Sequence, residues 1–127
     1  MDRPALTNRD QLMTYLNAAL AHERVKQFHV LFPDNRNRLL GEEAQSRGTA
    51  NHTPGYPREV VTRALELRGA ALILARNHPN GDPPPSKADL EMTREIRLAV
   101  EILSIALPDH IIIGTTKWLG FRREGLL

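Results

Sequence analysis

The chain of 127 residues contains no cysteine. That excludes a disulfide framework and a thiolate ligand, and leaves histidine and carboxylate as the only metal donors. No apolar run approaches the ~20 residues that a spanning helix needs, so no membrane segment is expected. The amino terminus, MDRPALTNRD, lacks the apolar core of a secretory signal, and a cytoplasmic location is the expectation. An excess of one charge is also missing. Seventeen basic against fifteen acidic residues leave +2, whereas nucleic-acid binding usually needs a concentrated basic face. Repeats, low-complexity tracts and linkers are absent too. What remains is an ordinary mixture, 41% hydrophobic and 25% charged, which points to one domain over residues 1–127 with one core.

The stretch around which the chain is organised is LILARNHPNGDPPPSKAD, residues 72–89. It reads as a short apolar strand over 70–75, a loop, and the start of a long helix. The loop carries His78, Pro79, Gly81 and the prolines at 83–85. Proline fixes φ and removes backbone donors, so such a loop is stiff and can hold side chains in place. Ser86 stands where an N-cap belongs, with Asp89 three residues on, close to a capping box. Histidine, serine and aspartate therefore converge between a strand end and a helix start.

Elsewhere, Thr7 with Asp10 resembles an N-cap with an acidic third residue, opening a helix over 8–21. Its apolar stripe is Leu12, Tyr15, Leu16, Ala19 and Leu20. Residues 27–32 alternate, with Phe28, Val30 and Phe32 on one face and His29 and Leu31 on the other. A turn at 33–37 and a return strand at 38–40 make a hairpin, and a third strand is expected over 42–49. Pro57 suits the first position of a helix whose stripe is Val60, Val61, Ala64, Leu65 and Leu67, with Gly69 as its stop. The longest helix is expected over 87–107, with Ile96, Val100, Leu103 and Leu107 inward and Pro108 ending it. A buried strand over 111–113 follows, and the tail can add an edge strand. Arg122 and Arg123 read as solvated. The order is α-β-β-β-α-β-α-β with a further strand at the end, an α/β arrangement of a mixed sheet flanked by helices.

Residues 76–89 resemble the metal-binding signature of the JAMM/MPN domain in the form found in the RadC family, His-x-His-Pro-x-Gly-x-x-x-Pro-Ser-x-x-Asp. The spacing matches without a gap, and every fixed position agrees except the first, where Arg76 replaces histidine. QFHVLFPDNRNRLL, Gly48-Thr49, YPREVVTRALEL and DHIIIG extend the resemblance over 27–127. It implies a cytidine-deaminase-like fold. Longer RadC proteins carry a preceding helix-hairpin-helix domain, for which this sequence has no counterpart.

The resemblance also implies a zinc ion held by two histidines and an aspartate, with water in the open position and a glutamate as general base. Carried over, His78 and Asp89 match two ligands and Ser86 the serine that stabilises the oxyanion. Arg76 takes the third ligand position, and arginine offers a metal no lone pair. The family frame Glu-x-Phe is here Lys26-Gln27-Phe28, which puts Lys26 where the base is expected. Glu23, three residues earlier, needs a local shift to substitute. Both changes add positive charge. The expectation is a binding or scaffold module with impaired or lost zinc hydrolysis and weak or absent zinc, in which Arg76 replaces the metal as the counter-charge of Asp89. Alternatives are a working zinc metallopeptidase or isopeptidase with His52 or His110 as substitute ligand, and a DNA-repair-associated protein. An anion bound by Arg76, Lys26 and His78 is a variant of the first reading. A protein or peptide partner is expected, and an edge strand offers a route to a homodimer.

Overall fold

The computed structural model describes residues 5–20, 23–45, 57–79, 81 and 84–127. Among them, three helices flank one five-stranded sheet. The elements in chain order are α1 (Arg9–Leu20), β1 (Phe28–Pro33), β2 (Leu39–Gln45), α2 (Pro57–Leu67), β3 (Ala71–Asn77), α3 (Lys87–Glu101), β4 (Ala106–Ile113) and β5 (Trp118–Gly120). The sheet order is β2-β1-β3-β4-β5. Only the β3–β4 pair is parallel, and α3 is the connection that this pairing requires. The other three pairs are antiparallel, so the sheet is mixed.

Period-two alternation assigns each side chain a face. Phe28, Val30 and Phe32 join Leu72 and Leu74 against Val60 and Ala64 of α2 and Met92, Ile96 and Val100 of α3. Leu31, Ile73, Ala75, Ile111 and Ile113 face the other way, against Met13, Leu16 and Leu20 of α1. With a helical layer on each side, β1 is buried along its whole length and β3 along all but its first residue. The alternation expected for 27–32 is therefore real, but both faces are inside.

Several expected boundaries need correction. The return strand at 38–40 and the third strand over 42–49 are one strand, β2, as far as Gln45; residues 46–49 and His52 lie outside the described residues. Gly41, between the two expected strands, lies within β2. A Cβ there would come 2.9 Å from Cδ1 of Leu67, so the glycine admits the end of α2 to the sheet. The first helix is capped by Asn8 rather than Thr7, its Oδ1 accepting from the Gln11 N–H at 2.9 Å. Helix α2 ends with Arg68, not Gly69, in the left-handed conformation (φ 54°), and Leu65 of its expected stripe is exposed.

The largest correction concerns α3. It stops at Glu101, not 107, because Ser104 turns left-handed (φ 59°) and the Ile105 N–H reaches back to the Val100 carbonyl at 3.0 Å. No glycine marks this stop, and the helical spacing of apolar residues runs on in the sequence to Leu107. Leu103 is 41% exposed, while Leu107 is buried at 7% as part of β4, and Pro108 lies within that strand rather than ending the helix. The two leucines separate the two arrangements. Leu107→Ala is expected to cost about 2–5 kcal/mol in chemical denaturation, and Leu103→Ala less than about 1 kcal/mol. Equal costs would instead fit a helix continuing through 107.

Candidate functional site

Strand β3 runs two residues further than the sequence suggests, to Asn77, and this places Arg76 in the sheet rather than the loop. Arg76 pairs with Phe28 on β1 and Ile112 on β4, and so shares the α3 face with Leu72 and Leu74. It is the largest fully buried side chain described. Its guanidinium carbon lies 5.1 Å from the centre of the Phe28 ring.

Opposite it stands the first turn of α3. Ser86 is the N-cap and the capping box is complete. The Asp89 N–H donates to Ser86 Oγ at 3.0 Å, and the Ser86 N–H donates to Asp89 Oδ2 at 2.9 Å. The other carboxylate oxygen, Oδ1, is ion-paired with Nη1 of Arg76, and both side chains are essentially inaccessible. His78 follows β3, its backbone N–H bonded to the Ile113 carbonyl at 2.8 Å and its Nε2 3.6 Å from Asp89 Oδ2. Gly81 holds the loop in a left-handed conformation (φ 135°), and its carbonyl accepts from the Thr115 N–H at 3.2 Å. The strand end, the loop and the β4–β5 hairpin are thereby tied together.

Burial alone would raise the Asp89 carboxyl. The His78 ring, the Arg76 charge and the Ser86 N–H outweigh it and hold Asp89 well below the usual carboxylate range. Burial likewise lowers the Arg76 guanidinium, and Asp89 opposes that shift. The charged pair is the state that this geometry favours.

The structure thus brings together Arg76, His78, Ser86 and Asp89. It leaves Lys26 and Glu23 exposed on the connection before β1. That connection is pinned by Asn77, to which the sequence reading gave no part. The Asn77 side chain accepts from the Gln27 N–H and donates to the carbonyls of Glu23 at 3.3 Å and Val25 at 3.0 Å. An asparagine inside an apolar strand, next to charged residues, was the available signal.

His110, weighed in the sequence as a substitute ligand, lies beside this group in the core. It stacks on Phe121 with ring centres 4.3 Å apart, and meets Phe28 edge-on. Thr93 Oγ1 donates to the Asp89 carbonyl at 2.8 Å and lies 2.6 Å from His110 Nδ1. One hydroxyl has one hydrogen, so Nδ1 carries the proton and Nε2 keeps a buried lone pair. His29 pairs with Ala75, one register position from Arg76, so its side chain lies on the opposite face of the sheet from this group. It is a satisfied buried residue between Glu42 and Gln27, with Tyr15 on the other oxygen of Glu42. Burial and then the Glu42 contact push the Tyr15 hydroxyl up to about 12.

Two stability effects follow. Burial, and after it the Arg76 charge, push His110 down to about 3 from an ordinary 6.5. The unfolded chain then binds more protons between those values, so stability is complete above about pH 6.5 and is lost as pH falls toward 3. Asp89 acts in the same direction below its ordinary 3.8. Urea midpoints are expected to fall from about pH 7 to about pH 4.5, above the carboxylates, and His110→Phe to flatten that slope. An unchanged slope would assign the titration to another group. Separately, Arg76→Met leaves a buried carboxylate without its counter-charge and is expected to cost about 3–5 kcal/mol at neutral pH. The cost should shrink in acid, where Asp89 can protonate.

Comparison with known proteins agrees with this geometry. A family model described as RadC-like JAB domain matches residues 6–126. A UPF0758 protein of Rhodobacter capsulatus is 53% identical over 127 residues, which is all of this chain and 59% of the relative. A UPF0758 protein of Ruegeria pomeroyi is 49% identical over 127 residues, 57% of its own length. The chain therefore spans about three fifths of the length of these curated relatives. With a five-stranded mixed sheet flanked by helices, and a family match from residue 6 to residue 126, the chain belongs to the RadC-like JAB domain family.

Proposed function

We propose that this RadC-like JAB domain has exchanged a metal ion for an internal arginine, and works as a binding module rather than a zinc hydrolase. The observation that carries this reading is the buried Arg76–Asp89 ion pair. Asp89 needs a positive partner on its Oδ1 side, and the guanidinium supplies one from within the chain. The donor set does not fit a catalytic zinc ion, which takes three protein ligands and keeps a fourth position open. His78 and Asp89 are two donors, and the third neighbour is a cation. No group of three or more histidine, aspartate or glutamate side chains suited to a metal occurs among the described residues.

A dication placed beside Asp89 would also meet the Arg76 charge in a site with little water to screen it. At an effective dielectric of about 20 that repulsion reaches several kcal/mol at contact distances. The base position adds a second obstacle, since exposed Lys26 cannot accept a proton from water as a glutamate would. What supports a binding role is the order around the loop. A complete capping box, a left-handed Gly81 and the loop–hairpin hydrogen bonds hold a surface that needs no metal for its order.

Restoring the ligand tests this directly. Arg76→His is expected to take up one zinc per chain in calorimetric titration, reversibly to chelator. If that variant keeps its fold by circular dichroism and still binds no zinc, Arg76 is not what keeps the metal out.

A further inference from the structure

The three helices are not attached to the sheet alike. Helix α2 links β2 to β3 and α3 links β3 to β4, so neither can leave without pulling on two strands. Helix α1 precedes β1 and links no two strands. It lies across the face formed by Leu31, Ile73, Ala75, Ile111 and Ile113, and buries Met13, Leu16 and Leu20 there. Ahead of its first turn, the Leu6 N–H donates to the Asn37 carbonyl at 2.7 Å, and Ala5 bridges Arg38. The helix is a strap, tied at both ends and resting on apolar contacts between them.

Among the described residues, two side-chain contacts of a polar kind hold the strap down. The Arg9 guanidinium lies 5.3 Å from the centre of the Trp118 ring. The Tyr15 hydroxyl donates to Glu42 Oε1 at 2.5 Å, and His29 Nδ1 meets Glu42 Oε2 at 2.5 Å. Glu42 belongs to β2 and His29 to β1, so one carboxylate joins α1 to both strands. Beyond His29 lies the Gln27 amide, and Ala44 and Ala75, the residues paired with His29, bring no further charge. The His29 contact, with the Tyr15 hydroxyl, holds the Glu42 carboxyl below its ordinary 4.5 although burial opposes this. The joint is therefore complete above about pH 4.5 and is lost as pH falls further.

We propose that α1 is a strap that opens as a unit while the sheet and α3 stay folded, and that the Tyr15–Glu42–His29 cluster is its acid-sensitive catch. Local openings of this kind lie below global unfolding in free energy, and a helix that connects no strands is the element best able to make one. Opening uncovers the apolar face behind β3, the strand that carries Arg76 on its other side.

Amide hydrogen exchange of the whole chain, read by NMR as protection factors, tests this. The α1 amides are expected to be less protected than those of α3, and the ratio of α1 to α3 protection to fall between about pH 6 and about pH 3.5. Tyr15→Phe keeps the ring and removes only the hydroxyl. It should lower that ratio about tenfold at about pH 6, as loss of a hydrogen bond to a charged group implies. Glu42→Gln should make the ratio independent of pH. Loss of protection in α1 and α3 together would mean that α1 leaves only in global unfolding, and would overturn the strap. A native ratio in Tyr15→Phe, or a ratio that still falls in acid in Glu42→Gln, would overturn the catch.

Discussion

A carboxylate and a guanidinium, both out of reach of solvent, face each other across the gap between β3 and the first turn of α3. Each is expensive to bury alone, and the interior geometry must keep them together. Asp89 has three tasks on two oxygens: it closes the capping box, neutralises Arg76 and stands beside His78. Arg76 has few ways to move, since its backbone is paired to a strand on each side. The start of α3 and the exit of β3 are therefore fixed relative to one another by one interaction. Replacing both charges with apolar side chains is often neutral or stabilising in other proteins. The pair is thus better understood as setting the geometry of this junction than as raising stability.

How this junction was legible in the sequence is specific. Ser86 and Asp89 announced the capping box, because capping chemistry is local and depends on spacing alone. The alternation at 28–32 announced the two faces of β1, and both faces proved to be covered because helices lie on each side of the sheet. Helix ends were less readable. Arg68 and Ser104 adopt the left-handed conformation that composition would assign to glycine, and tertiary packing alone places them there. The merger of two expected strands into β2 has the same origin, as Gly41 is matched to a side chain of α2 that is remote in sequence. The role of Asn77 and the ring partners of His110 were not legible either. Each depends on partners brought alongside by sheet pairing, and no local rule gives those.

The family match runs from residue 6 to residue 126, and the proposed reading turns on Arg76 and Lys26, the two positions that depart from the resembled signature. Removing a ligand normally leaves a buried aspartate with nothing to neutralise it. On the proposed reading, Arg76 both takes the place of a ligand and supplies the charge that neutralises Asp89.

The most direct measurement is the metal content of the native chain, purified without chelator and without a metal-binding tag, by elemental analysis. With Arg76 as the partner of Asp89, zinc should be near zero per chain in folded protein. Zinc near one per chain would contradict this, and would mean that another residue completes the ligand set in place of Arg76.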